Sequence, residues 1–394
     1  MKQSVKLTLL SSAILATFGI AMAANYLPDA NVNTAAPEQS QKLSHSEQQQ
    51  VVPVANEKAY LAGTTKVTVE TYPVYETSRQ LLKYQDEAGI NKFAHRRVLT
   101  PTDNQPVVRM NRDTYYSMAT VNVSKGASIT MPEIPEGKYM SVMAVTEDHR
   151  IQAMKYGAGT FDLKTHTGTH LVLIIRFDST FSQDEVHALQ DAMIIEAGSD
   201  QPYQAKPING ESLENIGKQL KAKAPQMIAE MGGTVTYGMF TDNNDPMFDE
   251  EKYQVGSAIG WGGAQLVDNI YELSPTYADD QCYQMTFADP KNKAFWSVTV
   301  YDKFGFMFND KANINSLTAE QNKNGSYTVS FGCGEDAINN IPIDNNTGVF
   351  NLAMRHYQPS QQVIDGYRLV PTLGVADVKT MRLSKHANNS NHAE

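Results

Sequence analysis

The densest set of side chains able to do chemistry lies between Phe93 and Ser117. It comprises Phe93, His95, Arg96, Arg97 and Thr100, then the run Arg109-Met110-Asn111-Arg112-Asp113-Thr114-Tyr115-Tyr116-Ser117. A carboxylate beside an amide, a phenol and a hydroxyl has the makings of a polar pocket. Asp113 would act there as a base or hydrogen-bond acceptor, His95 as a general acid and Arg97 as an anion clamp. If the run enters a strand, alternation puts Asn111, Asp113, Tyr115 and Ser117 on one face and Arg112, Thr114 and Tyr116 on the other. The same residue types also build structural networks. In that reading Asn111 and Asp113 cap turns, and Arg97 or Arg109 neutralises Asp113. Both readings turn Asp113 inward and pair it with one of those two arginines.

Other groups carry weaker patterns. Glu147-Asp148-His149 sets two carboxylates beside an imidazole, either half of an acid–base or metal site or a solvated strand end. His166 and His170 have a spacing seen in zinc sites, but Thr167-Gly168-Thr169 between them reads as a turn, and no third ligand is near in sequence. Asp242-Asn243-Asn244-Asp245 and Asp344-Asn345-Asn346-Thr347-Gly348 lack the full calcium-loop spacing and read as Asx-rich turns. Trp261, Trp296, Tyr301 and Tyr357 form either an aromatic binding surface or core. The candidate set is therefore Asp113 and His95 for catalysis, and Arg97, Asn111, Tyr115, Ser117, Glu147, His149 and Trp261 for ligand binding. No cofactor and no metal are expected. A nucleophile elbow, a Walker loop, a dinucleotide fingerprint and a His-Glu-x-x-His motif are all absent from the sequence.

These residues need elements to position them. Val69, Tyr72, Val74, Tyr75, Leu81 and Leu82 give a helical stripe that Pro73 starts or kinks and Glu87-Ala88-Gly89 ends. Strands are expected at 115–123, 127–131, 138–146 and 170–177, each bounded by Gly, Pro or Asp. Ser182 with Glu185 three residues on predicts a capped helix over 183–192. Leu213, Ile216, Leu220, Met227 and Met231 predict a longer one over 212–231, bent at Pro225 and stopped by Gly232-Gly233. The C-terminal part reads as strands at 281–288, 294–301, 326–331 and 349–357. No repeat of 20–50 residues is present.

Composition bounds the rest. The chain has 394 residues, 41% hydrophobic and 19% charged, which is a globular balance and excludes a wholly disordered chain. With 33 basic against 43 acidic residues the net charge is −10, which disfavours nucleic acid as a partner. Lys2 and Lys6, the largely apolar run Leu7–Ala21 and Ala21-Met22-Ala23 have the order of a secretory signal peptide cleaved before Ala24. Residues 24–58, rich in Gln, Asn, Ser, Ala and Pro, read as a flexible tether. No segment of the mature chain is expected to span a membrane. The expected location is periplasmic or secreted. Cys282 and Cys333 would then meet an oxidising compartment, either bridged or as two buried thiols.

The run Asn111-Arg112-Asp113-Thr114-Tyr115-Tyr116-Ser117, preceded by Phe93-x-His95-x-Arg97, resembles the hallmark of the bacterial domain-of-unknown-function family DUF1254. Trp261-Gly262-Gly263, the run Phe295–Tyr301, Arg355-His356-Tyr357-x-Pro359 and Asp365-Gly366-Tyr367-x-x-x-Pro371 resemble its usual companion, DUF1214. The resemblance covers about 60–375. One departure stands out: Asn340-Ile341-Pro342 replaces the companion's usual Asn-Trp-Leu-Pro. The resemblance implies a mainly β (β-rich α+β) fold of two β-sandwich or jelly-roll-like domains joined by helices, and no established reaction. The expected organisation is a leader at 1–23, the tether at 24–58, an N-terminal β-rich domain at 59–200, a helical connector at 201–260, a C-terminal β-sandwich at 261–383 and a frayed tail at 384–394. The functional expectation is an exported soluble protein that handles a small molecule or glycan in a cleft lined by Asn111–Ser117, with homo-oligomerisation open. The alternatives are an exported hydrolase using Asp113 and His95, and an envelope structural or interaction protein.

Overall fold

The computed structural model describes residues 52–105 and 108–376. The leader, most of the tether and the 384–394 tail lie outside the described residues. The last residues of the tether do not hang free. Val54 exchanges two backbone hydrogen bonds with Ala205, and Asn56 opens a short helix at Glu57–Tyr60. These ladder bonds hold a polar segment that has little apolar surface of its own.

The chain is mainly β. Its N-terminal half contains β1 (Phe93–Arg96), β2 (Thr114–Asn122), β3 (Ala127–Met131), β4 (Met140–Thr146), β5 (Lys155–Tyr156), β6 (Gly159–Leu163), β7 (His170–Asp178) and β8 (Ile194–Ala197). They form an antiparallel sheet in the order β1-β2-β7-β4-β5 and a smaller sheet in the order β6-β3-β8. Side-chain alternation gives the larger sheet two working faces. Tyr115, Ala119, Val142, Leu173 and Ile175 face the smaller sheet and close a sandwich core with Ile129 and Met131. Met118, Met143, Val145, Val172 and Ile174 face the other way, into a second core.

Helices fill that second core. Tyr72–Ala88 begins with Pro73 in its first turn, where a missing N–H costs nothing. Gly210–Glu230 starts on an Asn209 cap and continues through Pro225, and Glu250–Gly260 starts on an Asp249 cap. The segment read as a connector thus supplies a helical layer over the N-terminal sheet, with Leu213, Leu220, Ala224 and Val255 buried against it. The Gln183–Ala192 helix carries the expected Ser182–Glu185 capping box.

The C-terminal half contains β9 (Thr234–Val235), β10 (Asn269–Leu273), β11 (Tyr277–Ala278), β12 (Tyr283–Ala288), β13 (Phe295–Tyr301), β14 (Asn313–Asn315), β15 (Ser326–Phe331), β16 (Asn340–Ile341), β17 (Val349–Tyr357) and β18 (Leu373–Val375). A sheet ordered β14-β13-β17-β10-β9, with β11 beside β17, packs on a sheet ordered β16-β15-β12-β18. Trp296, Val298, Leu352, Met354, Met285 and Val329 fill the space between them. Cys282 and Cys333 are bridged at the paired ends of β12 and β15. The outer face of β13 and β17, carrying Phe295, Ser297, Thr299, Arg355 and Tyr357, is buried as well. The N-terminal unit covers it, and that seam places the site.

Candidate functional site

The sequence-derived residues do not meet in one place. Strand pairing begins only at Thr114, so Asn111 and Asp113 sit in the turn before it and do not share a face with Tyr115 and Ser117. Tyr115 enters the N-terminal sandwich core. Ser117 is fully buried and bonds His95 Nδ1 at 2.8 Å and the Gln190 amide at 3.2 Å. His95 lies at the sheet edge, stacked on Phe93, and burial followed by the nearby Arg97 holds its pKa below the usual imidazole range. Arg97 pairs with Asp191 and donates to the His187 carbonyl. Arg109 donates to Asn351 at 3.0 Å.

Asp113 points inward, as expected, but toward a different arginine. It is completely buried, and its carboxylate accepts from Ser297 Oγ at 2.5 Å, Asn313 Nδ2 at 2.9 Å and Tyr357 OH at 3.3 Å. Arg355 is the cation that acts on it. Burial pushes the Asp113 carboxyl up, with Arg355 and the three hydrogen bonds opposing. All four partners belong to the C-terminal unit. Arg97 and Arg109 are close in sequence, but their backbone directions take them to other acceptors.

Glu147, Asp148 and His149 diverge. Glu147 accepts from the amides of Thr169 and His170 at 2.7 and 2.9 Å, and a Cβ on Gly168 (φ +69) would collide with its carboxylate. Asp148 takes His166 at 2.8 Å. Among the described residues, no group of three or more His, Cys, Asp or Glu side chains is arranged to hold a metal ion. His149 is buried at φ 58, stacked on Trp261 and flanked by Tyr253 and Phe240. Its Nε2 accepts from the Gly262 amide at 3.0 Å, so the neutral ring carries its proton on Nδ1, which has no partner. Gly262 (φ +71) approaches β7 so closely that a Cβ would lie 2.8 Å from Ile174. Trp261 donates to Thr77 Oγ1 at 2.9 Å and stays partly accessible. Trp296, Tyr301 and Tyr357 are core.

Burial drives the His149 pKa down to about 3. The unfolded ring takes up a proton near pH 6.5 and the folded ring does not, so stability is present above 6.5 and is lost as pH falls toward 3. His149→Gln, which keeps an acceptor for Gly262, is therefore expected to lessen acid sensitivity. The stability lost between pH 6.5 and 4.5 should shrink by about 2 kcal/mol. Urea unfolding at both pH values measures it, and an unchanged difference contradicts the assignment.

What converges instead is a row across the N-terminal sheet facing its C-terminal counterpart. Register aligns Arg96, Tyr116, Arg176, Ser141 and Tyr156 across β1, β2, β7, β4 and β5. Opposite them, Ser297, Arg355 and Tyr271 align across β13, β17 and β10. Asn111 donates to the Tyr116 hydroxyl at 2.7 Å, and the Arg176 guanidinium lies 5.5 Å from the Tyr116 ring centre. Tyr139 donates to Ser141 at 3.0 Å. Tyr156 donates to Asp268 at 2.7 Å.

The electrostatics centre on Arg176. It is buried, and among the described residues no carboxylate lies within ion-pairing distance of it. Burial pushes its pKa down, but the phenols of Tyr116, Tyr139 and Tyr271 outweigh that and hold it above the usual guanidinium range. Burial likewise pushes Tyr116 up. Arg176, with Thr114 and Asn111, overcomes this and leaves the phenol below its ordinary value. Arg355, by contrast, spends its donors on Thr299 Oγ1, Tyr301 OH and the Arg109 carbonyl, with Asp113 nearby. Tyr116 and Tyr271 are half-buried and pack against the helical core. Buried Asn269, one alternation from Tyr271 on the same face, has an amide oxygen with no partner. A separate open groove of about 710 Å³ at the rim of the N-terminal sandwich, lined by Gly126, Ser128, Asp162, Lys164 and Glu196 among others, contains none of the candidate residues.

Arg176, Tyr139, Tyr156, Asp268, Asn269 and Tyr271 were not among the sequence candidates. Arg176 had a signal: it is the one cation inside His170–Asp178, a strand buried on both faces. A charge in such a strand must meet something specific.

The chain was compared with known proteins. The model of a protein of unknown function, DUF1254, matches residues 90–172, and that of DUF1214, also of unknown function, matches residues 273–361. No curated protein matches. The crystal structure of the VPA0106 protein from Vibrio parahaemolyticus aligns with a TM-score of 0.56 at 16% identity, over 78% of this chain and 98% of that one. At that identity the likeness concerns the fold. A putative uncharacterized protein from Burkholderia cenocepacia aligns at 0.43 and 12% identity, over 74% of this chain and 84% of its own. The first match spans β1, β2 and most of the sandwich behind them, and the second spans β11 to β17, so the chain carries a DUF1254 segment followed by a DUF1214 segment, in that order.

Proposed function

We propose that this is an exported, soluble protein that binds a small molecule in the seam between its two β units, against the Tyr116–Arg176–Ser141 row. The carrying observation is Arg176, a buried guanidinium without a carboxylate partner among the described residues, bracketed by phenols that keep accessible surface. Arg355 donates to three oxygens, whereas Arg176 donates to the Met143 sulfur beside the Tyr116 phenol, with Asp268 acting on it at longer range. Seams between domains are common places for ligands, because two rigid surfaces can each contribute polar groups. Binding is favoured over hydrolysis, since Asp113, His95, Glu147 and His149 lie in four separate environments. An assembly role has less support, because Trp296, Tyr301 and Tyr357 are buried within the chain. The leader-like residues 1–23 and the Cys282–Cys333 bridge support export to an oxidising compartment.

The test is a thermal-shift screen of the mature chain against sugars, sugar acids, amino acids and aromatic acids. Hits are repeated on Tyr116→Phe and on Lys164→Ala in the rim groove. A seam ligand loses its shift in Tyr116→Phe and keeps it in Lys164→Ala. The reverse pattern would move the site to the rim groove and overturn the reading.

A further inference from the structure

We infer that the seam takes a neutral polyhydroxyl compound of the monosaccharide class, held at the end of β10 by Asn269 and Thr236. This deepens the seam reading and rests on it. Three observations carry it.

The first is charge balance. Each β unit brings one cation and one carboxylate to the seam. Arg355 of the C-terminal unit acts on Asp113 of the N-terminal one, and Arg176 of the N-terminal unit acts on Asp268 of the C-terminal one. The four charges sum to zero. An anionic or cationic ligand would bring a charge with no counterpart into a low-dielectric place, whereas a neutral one leaves both pairs intact.

The second is a pair of unsatisfied polar groups. Asn269 is 5% exposed and Thr236 1%. Neither the Asn269 amide oxygen nor the Thr236 hydroxyl has a hydrogen-bond partner among the described residues. The two are close in the ladder. Val235 pairs with Tyr271 across β9 and β10, so Thr236, the next residue, comes level with Ile270, beside Asn269. Asn269 pairs with Tyr357 of β17, whose ring packs on Tyr139 of the N-terminal unit, and this puts Asn269 at the seam. The amide oxygen needs a donor, and the threonine hydroxyl can give or accept. Sugar hydroxyls do both, and leaving the two groups unpaired is costly. Tyr156, partly accessible on the edge strand β5, holds Asp268 next to them and gives this end of the seam a way in.

The third is strain. Thr236 has φ 125, a region that a β-branched residue rarely enters. Gly233 and Gly238, both at positive φ, stand on either side of it, where a turn costs less. Strain kept at a threonine between two such glycines belongs to the pattern of ligand clamps.

The experiment is isothermal titration of the mature chain at neutral pH with D-glucose and D-galactose, each beside its uronate and its 2-amino sugar. It is run on wild type, Thr236→Val, Asn269→Leu, Tyr116→Phe and Lys164→Ala. A neutral sugar is expected to bind at least about tenfold more tightly than its charged counterparts, which carry an unmatched charge into the seam. Thr236→Val and Asn269→Leu remove groups that are unpaired in the free protein, so its melting temperature should hold or rise. Each should weaken the sugar by about tenfold, the worth of one buried hydrogen bond, and either serves alone if the other does not fold. A sharp fall in melting temperature in both would show that the groups have partners and would overturn the inference. So would the absence of sugar binding, or a uronate or amino sugar that binds as tightly as its neutral parent. Charged-sugar binding that is lost in Tyr116→Phe would leave the seam reading standing without it. Sugar binding lost in Lys164→Ala and unaltered in the three seam variants would overturn both.

Discussion

Asp113→Ala is expected to cost about 3–5 kcal/mol of stability, the range for removing one member of a buried charged network. The loss has two parts. Ser297, Asn313 and Tyr357 each lose a buried acceptor, and Arg355 loses its counter-charge. All four belong to the C-terminal unit and Asp113 to the N-terminal one, so the damage falls on the seam. Urea unfolding should show a lower midpoint and a transition that broadens or splits as the two units uncouple. Asp113→Asn keeps the volume and removes the charge, and should fall between wild type and alanine. A loss below about 1 kcal/mol in Asp113→Ala would put Asp113 in the range of ordinary surface changes and contradict the network.

The second large effect concerns the bridge. Cys282 and Cys333 close a loop of 51 positions across the β12–β15 pair. Restricting an unfolded chain over that length is worth about 4 kcal/mol on the loop-entropy account. The Cys282→Ser, Cys333→Ser double variant should lose an amount of that order, with the effect absent when wild type and variant are compared under reducing conditions. Native protein denatured without reductant should show no free thiol. Two thiols per chain would reject the bridge.

Much of the architecture was legible because it is local. The apolar run at β7, the alternation of Phe350, Leu352 and Met354 in β17 and the Ser182–Glu185 box each specify an element from a few neighbouring residues. Pro73, read as a start or a kink, stands in the first turn of its helix. The site was less legible because it depends on pairing across long separations. Asp113 and Tyr357 are 244 positions apart, and Arg109 and Arg97 were the nearer arginines in sequence. Which face of β2 meets the seam turns on where pairing starts. Beginning at Thr114, the strand sends Tyr116 to Arg176 and Tyr115 to the opposite core. A shift of one residue would have reversed them. Asn111, still in the turn, reaches Tyr116 because it is outside the ladder and free of its alternation.

The polar run 111–117 therefore contributes to one side of the seam. Asn111 and Tyr116 line it, Asp113 ties its two walls together, and His95 and Ser117 form a separate pair at the sheet edge. The rest comes from Arg176 and β10, where charged and amide side chains interrupt strands that are otherwise apolar. Such interruptions are costly, and they persist where they satisfy one another or a ligand.

The most direct measurement is a crystal structure of the protein with the strongest hit of the thermal-shift screen. The account predicts the ligand between the two β units, in contact with Tyr116 and Arg176. A ligand bound in the rim groove and not in the seam would contradict it.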